Sequence, residues 1–345
     1  MRTSRGIALL VFVAGCMPGG IGNPTAPGSG ERRPPPWGVD DLRDNAIGTN
    51  AAEPPWRDLI RHTMIPAPGR ATHPAPSPDG RFFLYATTEF GPRAQIARRE
   101  TNGASATQLT QNSGDNLFPR VSPDGKRFAY ASNKEGNFDI YVARLDSPHN
   151  VTQVTFEAED DVAPSWAPDG KRLVYSRNMG GTWQIVTVDV GTRIKTFLGP
   201  GMYPDWSPDA RDELIAFQSQ PRTPGGRSSV WVVRPDGTGL REVVSDKAHG
   251  WSAMNPRFAE GGRWIAYATA SRSRESRAFG APDEADDIWM IRPDGTYDTR
   301  LTDDLSAEWW PSWGGKRVFF VSTRSGGSPN VWSVQVKPLD DPEEK

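Results

Sequence analysis

The sequence holds a single cysteine, Cys16, in 345 residues, so no disulfide can form within the chain and no thiolate cluster can hold zinc. Histidine is almost as scarce. His62, His73, His149 and His249 show no metal-ligand spacing with one another or with the cysteine, and they read as ordinary strand or loop residues. Beyond the first sixteen residues no apolar run is long enough to span a bilayer. Neither sign of charge dominates: 40 basic and 42 acidic residues are interspersed and leave a formal charge of -2. That balance lacks the basic footprint of a nucleic-acid interface, so DNA and RNA are excluded as partners. Walker and dinucleotide-binding fingerprints are absent, and helical periodicity is scarce.

What is plentiful is turn chemistry. The chain has 35 glycines and 32 prolines, and past the N-terminus they recur at regular spacing, as punctuation does in a many-stranded β protein. The N-terminus itself is organised differently. Met1 to Arg5 form a short basic segment, Gly6 to Val13 an apolar one too short to cross a membrane, and Val13-Ala14-Gly15-Cys16 follows. That tetrapeptide resembles the bacterial lipobox. The resemblance implies that Cys16 is acylated and becomes the mature N-terminus, leaving no free thiol. Two or three acyl chains, at about 0.8 kcal/mol per buried methylene, anchor a protein stably. Met17 in place of aspartate resembles the pattern for sorting to the outer membrane, so the expected location is the bacterial cell envelope, facing the periplasm.

Four regions follow: a signal peptide at 1–16, a Pro/Gly-rich tether at 17–56, a repeat domain at 57–336 and a charged tail at 337–345. The tether has too few apolar side chains to offset its ordering entropy. As a flexible coil of ~40 residues it reaches about 35 Å.

The repeat has two halves. The first is a turn and a β run: Ser77-Pro78-Asp79-Gly80 before Phe82-Phe83-Leu84-Tyr85, Ser122-Pro123-Asp124-Gly125 before Phe128-Ala129-Tyr130, and Ala167-Pro168-Asp169-Gly170 before Leu173-Val174-Tyr175. Ser207-Pro208-Asp209 opens a fourth copy, and the fifth and sixth have decayed to Glu260-Gly261-Gly262 and Gly314-Gly315-Lys316. Proline presets φ, aspartate accepts backbone hydrogen bonds and glycine takes the left-handed conformation, so a tight hairpin is predicted. The second half is an alternating strand, as in Asp139-Ile140-Tyr141-Val142, then a Leu-Thr or Val-Thr pair read as marking a fourth strand. Upstream of each turn stands a proline: Pro74, Pro119, Pro164, Pro204, Pro256 and Pro311. Lacking a ladder donor, it belongs on an edge strand facing a central channel. Two residues on, Pro76, Val121, Trp166, Trp206, Phe258 and Trp313 should pack against the neighbouring blade.

A spacing of about 40 to 53 residues is the pitch of a propeller blade. The fold expected is all-β, a six-bladed β-propeller of four-stranded antiparallel blades. Only three strands follow Pro311, so an N-terminal strand at Leu59 to Thr63 is predicted to close the last blade and abolish the open edge. The Pro-x-Trp-Ser-Pro-Asp-Gly-Lys element with its Ile-Tyr/Trp-Val strand resembles the TolB-like propeller repeat, shared with propeller domains of prolyl oligopeptidase relatives. The resemblance implies the fold and not a function. It departs from TolB in having a tether and lipobox where TolB has an α/β domain.

Relatives of this kind act as enzymes mainly with a hydrolase domain attached, and none fits after the last strand. Gly250-Trp251-Ser252-Ala253-Met254 nearly matches a nucleophile elbow, but Met254 replaces the last glycine and the context is loop to strand. No catalytic residue and no cofactor is expected; calcium at Asp160, Asp161 or Asp115 would suit oxygen ligands, though no spacing demands it. What remains is a binding surface where the loops entering the innermost strands converge. Its candidates are Asp115, Asp160, Asp161, Tyr203, His249, Trp251, Glu308, Trp309 and Trp310. Aromatics beside carboxylates suit a protein or peptide partner. Tyr203, Trp309 and Trp310 can equally fill the wedge between blades. The function expected is that of a monomeric, non-enzymatic envelope lipoprotein; the alternative is a carbohydrate-binding or glycan-active protein using Asp160, Asp161 and Glu308.

Overall fold

The computed structural model describes residues 56–221, 226–245, 251–270, 287–303, 306–324 and 328–337. Cys16, the tether up to residue 55, His249, most of the fifth-blade insertion (271–286) and the tail from 338 lie outside these residues. Among the described residues twenty-four strands form six antiparallel four-stranded sheets, each a blade of a β-propeller. Among the described residues no helix is long and apolar enough to cross a membrane.

Blades one to six begin with the innermost strands Ala71–Pro76, Asn116–Val121, Asp161–Trp166, Met202–Trp206, Ser252–Phe258 and Glu308–Gly314. Each packs against the innermost strands of both neighbours and so closes the ring. The second strand of every blade carries an aromatic at one aligned position, Tyr85, Tyr130, Tyr175, Phe217, Tyr267 and Phe320, and all six are buried. The bulky residue expected to pack against the neighbouring blade does so. Trp166, for instance, is buried and donates its indole N–H to the Arg120 carbonyl of blade two at 3.1 Å.

The Ser-Pro-Asp-Gly segments form the predicted hairpins. In the first, Ser77 N–H donates to the Phe82 carbonyl at 2.8 Å, its hydroxyl donates to Asp79 at 2.6 Å, and Gly80 sits at φ 68°.

The seam is closed as the sequence predicts, with shifted limits. The strand is Trp56–Arg61, not Leu59 to Thr63, and it pairs antiparallel with Asn330–Val336 as the outer strand of blade six. Thr63 lies just past it and makes a clip: its hydroxyl accepts Val331 N–H at 2.9 Å and donates to Asn330 Oδ1 at 2.8 Å. The threonines of the Leu-Thr and Val-Thr pairs do likewise. Thr110 and Thr155 accept Ile96 and Ile140 N–H at 2.8 and 2.9 Å and donate to Gln95 and Asp139, both at 3.0 Å. Those pairs therefore follow the fourth strands, which end at Gln108 and Gln153, instead of lying within them.

Candidate functional site: the central channel and its mouth

Proline's missing N–H shapes the channel more strongly than an edge-strand role requires. In all six innermost strands the ladder skips two residues, the proline and the residue before it. The preceding residue is left-handed: His73, Phe118, Ala163, Tyr203, Asn255 and Trp310 have φ between 50° and 54°. A non-glycine residue pays about 1–2 kcal/mol in that region, and such strain persists where the surrounding structure over-determines it. Six bulges therefore present six side chains to the channel axis.

Four of those side chains are rings that meet across the channel. His73 stacks on Trp310 with centroids 3.7 Å apart and lies 4.0 Å from Phe118. Phe118 lies 6.0 Å from Tyr203 and 6.4 Å from Trp310, contacts that link blade two with blades four and six. Tyr203 and Trp310 are half-buried, so the layer is open on one side.

Directly after each proline comes a second, polar layer: Arg120, Ser165, Asp205, Arg257 and Ser312, with Ala75 completing it. Asp205 accepts the Ser165 hydroxyl at 2.9 Å and Phe258 N–H at 2.8 Å. Arg120 and Arg257 approach the same carboxylate to 3.9 and 3.7 Å, too far for hydrogen bonds. Burial pushes the Asp205 carboxyl upward, and Arg120 opposes that. Sequence reasoning overlooked this layer. Its signal was a charged residue immediately after a strand proline, as in Pro119-Arg120, Pro204-Asp205 and Pro256-Arg257.

Several residues predicted to face a ligand instead hold the mouth together. Asp115 accepts Ala94 N–H at 2.8 Å and pairs with Arg93 at 3.0 Å. Asp160 accepts Phe138 N–H at 2.9 Å. Asp161 is buried and receives two bonds from Arg177, each of 2.8 Å, and Glu308 is buried against Arg324. These commitments leave Asp115, Asp160 and Asp161 poorly placed for calcium, and among the described residues no cluster of acidic, histidine or cysteine side chains could hold a metal. Trp251 packs 6.0 Å from Trp289, and Trp309 lies against the core between blades five and six, the wedge role weighed for it. Ser252, centre of the near-elbow, accepts Ser228 N–H at 3.2 Å. Tyr203 and Trp310 remain at the channel; His249 is outside the described residues.

The acids around Arg177 are strongly differentiated. Burial, with Asp161 and Glu157 nearby, raises the Asp139 carboxyl to about 6 against hydrogen bonds from Thr155 and Gln153. Burial also raises Asp161, opposed by Arg177. Glu157 is desolvated too, yet Lys195, Phe156 N–H and Arg177 bring it down to about 2.

The TolB beta propeller domain family matches residues 61–201. Among solved structures, putative TolB from Agrobacterium tumefaciens is 21% identical over 79% of this chain and 92% of its own, with a TM-score of 0.58. TolB from Acinetobacter baumannii is 18% identical over 75% of this chain and 65% of its own, with a TM-score of 0.54. Oligogalacturonate lyase from Vibrio parahaemolyticus is 14% identical, over 81% and 94%, with a TM-score of 0.55. No curated protein sequence matches the chain. At these identities the likeness is one of fold, and the ring is a six-bladed β-propeller similar in fold to those of TolB.

Proposed function

We propose that this TolB-like propeller is a non-enzymatic, lipid-anchored protein of the bacterial cell envelope that captures a protein or peptide segment at its channel mouth. The observation that carries the reading is the ring layer of His73, Phe118, Tyr203 and Trp310, set on left-handed bulges and half-open at Tyr203 and Trp310. Rigid aromatic anchors supply contact area at low entropic cost and dominate interface energetics. An extended peptide offers backbone and side chains to such a floor without the chain having to move. Binding is favoured over glycan chemistry because Asp160, Asp161 and Glu308 are each engaged in an internal bond. A glycosidase needs two carboxyl groups free to face one bond.

The test is photo-crosslinking in cells from position 203 or 310, with position 124 at the opposite end as control, followed by membrane fractionation. The reading expects one recurrent envelope protein captured from 203 and 310 and not from 124. It also expects the Cys16→Ala chain to leave the membrane fraction. Capture from 203 and 310 no different from position 124 overturns the mouth, and unchanged membrane retention of Cys16→Ala overturns the anchor.

A further inference from the structure

We propose that the channel holds a small inorganic anion, a halide, between the two layers, bound by the guanidinium groups of Arg120 and Arg257 and by Nε2–H of His73. The site lies beneath the mouth and does not depend on what the mouth captures.

Between the layers lies a cavity of about 10 Å³, lined by His73, Phe118, Trp310, Arg120, Arg257 and prolines. The polar side chains facing it are donors. Thr72 Oγ1 lies 2.9 Å from His73 Nδ1 and only 3.5 Å from its other acceptor, the Ala86 carbonyl. The proposed site uses the tautomer in which the hydroxyl proton goes to Nδ1 and the ring's own proton sits on Nε2. That Nε2 is buried and has no hydrogen-bond partner. Burial, with Arg120 and Arg70 adding to it, keeps His73 neutral by holding its pKa well below the usual value. His73 and Arg257 are 7% and 5% exposed and the Arg120 side chain 14%, so bulk water reaches the site mainly from the Arg120 side.

The charge does not balance. Arg120 and Arg257 share one carboxylate, Asp205, which lies outside the cavity lining. Arg120 makes one side-chain hydrogen bond, to Ser312 at 3.0 Å, and Arg257 uses only Nη1, on the Pro204 and Pro256 carbonyls. One net positive charge is thus left at a site where Arg257 is buried, Arg120 is half-buried and His73 Nε2 is a fully buried polar atom without a partner. Leaving such a charge uncompensated is costly. A cavity of this size holds about one water-sized particle. It therefore takes a single-atom anion in preference to a carboxylate group, the other source of the same acceptor chemistry.

The decisive measurement is anomalous diffraction from crystals of the propeller grown with bromide in place of chloride. A peak is expected between Arg120, Arg257 and His73, and a channel without bromide overturns the assignment. In solution, thermal unfolding at fixed ionic strength should show a saturable rise in Tm with sodium bromide or chloride that sodium gluconate does not give. An equal rise with sodium acetate would overturn the choice of a halide over a carboxylate. Each variant is compared with itself across salts, so an altered baseline stability does not confuse the result. His73→Phe, whose ring the equivalent Phe118 shows the bulge to tolerate, should weaken the halide response about tenfold. Asp205→Asn, which leaves two uncompensated guanidinium groups, should strengthen it about tenfold. Unchanged halide responses in both variants would overturn the ligand set.

Discussion

The two ends of the ring are made from the same blades but solve the problem of placing acids in opposite ways. At the hairpin end Asp79 is exposed, and the Ser77 hydroxyl and Arg81 N–H hold its carboxyl below the usual range. Near-identical turns follow at Asp124 and Asp169, with Gly125 and Gly170 at φ 67° and 65°. At the mouth end Asp139, Asp161 and Glu308 are buried, and the blades vary in how they hold them, blade two with the Thr155 hydroxyl and blades three and six with an arginine across the first hairpin. Repetition marks the end that only has to close a turn. Variation marks the end where the blades meet loops, channel and any partner.

The sharpest break in this contrast comes at Arg177, 7% exposed between Asp161 and Glu157. Arg177→Met strands Asp161 at 0% exposure and should cost about 3–5 kcal/mol in urea unfolding. A loss under 1 kcal/mol would mean that the mouth acids are not held by this pair. Next is the pH response of Asp139. Its folded pKa, about 6, lies above the ordinary 3.8, so the native state holds the proton more tightly. The associated stability is present below about pH 4 and lost as pH rises through about 6. Asp139→Asn should therefore raise stability at pH 8 by about 1–2 kcal/mol and leave it little changed at pH 4; an equal effect at both pH values would refute the titration. The smallest effect belongs to the hairpin end. Gly125 has φ 67° with open space around it, so Gly125→Ala should cost about 1 kcal/mol from backbone strain alone. A much larger loss would show a packing role that the turn lacks in the structure.

Much of the scaffold was legible because it rests on local rules that act copy by copy. Proline and glycine at fixed offsets, and a strand short at the C-terminal end, are enough to place six blades and their closure. The bulge was not legible, since its left-handed residue is His, Phe, Ala, Tyr, Asn or Trp, and of these only asparagine commonly adopts that conformation. Asp161 and Glu308 were misread as ligand carboxylates because acids in loops usually face water. A signal did exist: Arg177 and Arg324 each follow their acid by sixteen positions, the separation that one hairpin turns into a neighbour. Tyr203 and Trp310 could be found as loop aromatics, but their meeting with His73 and Phe118 joins blades far apart in the chain, which no local pattern reports.

The bulges have a consequence for redesign. Because the ladder resumes after every proline with the same one-residue register shift, side chains at 73, 118, 163, 203, 255 and 310 can be exchanged without moving a strand. They form six addressable positions on a fixed frame. A combinatorial library there, omitting valine, isoleucine and threonine because branching at Cβ resists the left-handed backbone, would recode what the pore accepts while leaving the blades as they are.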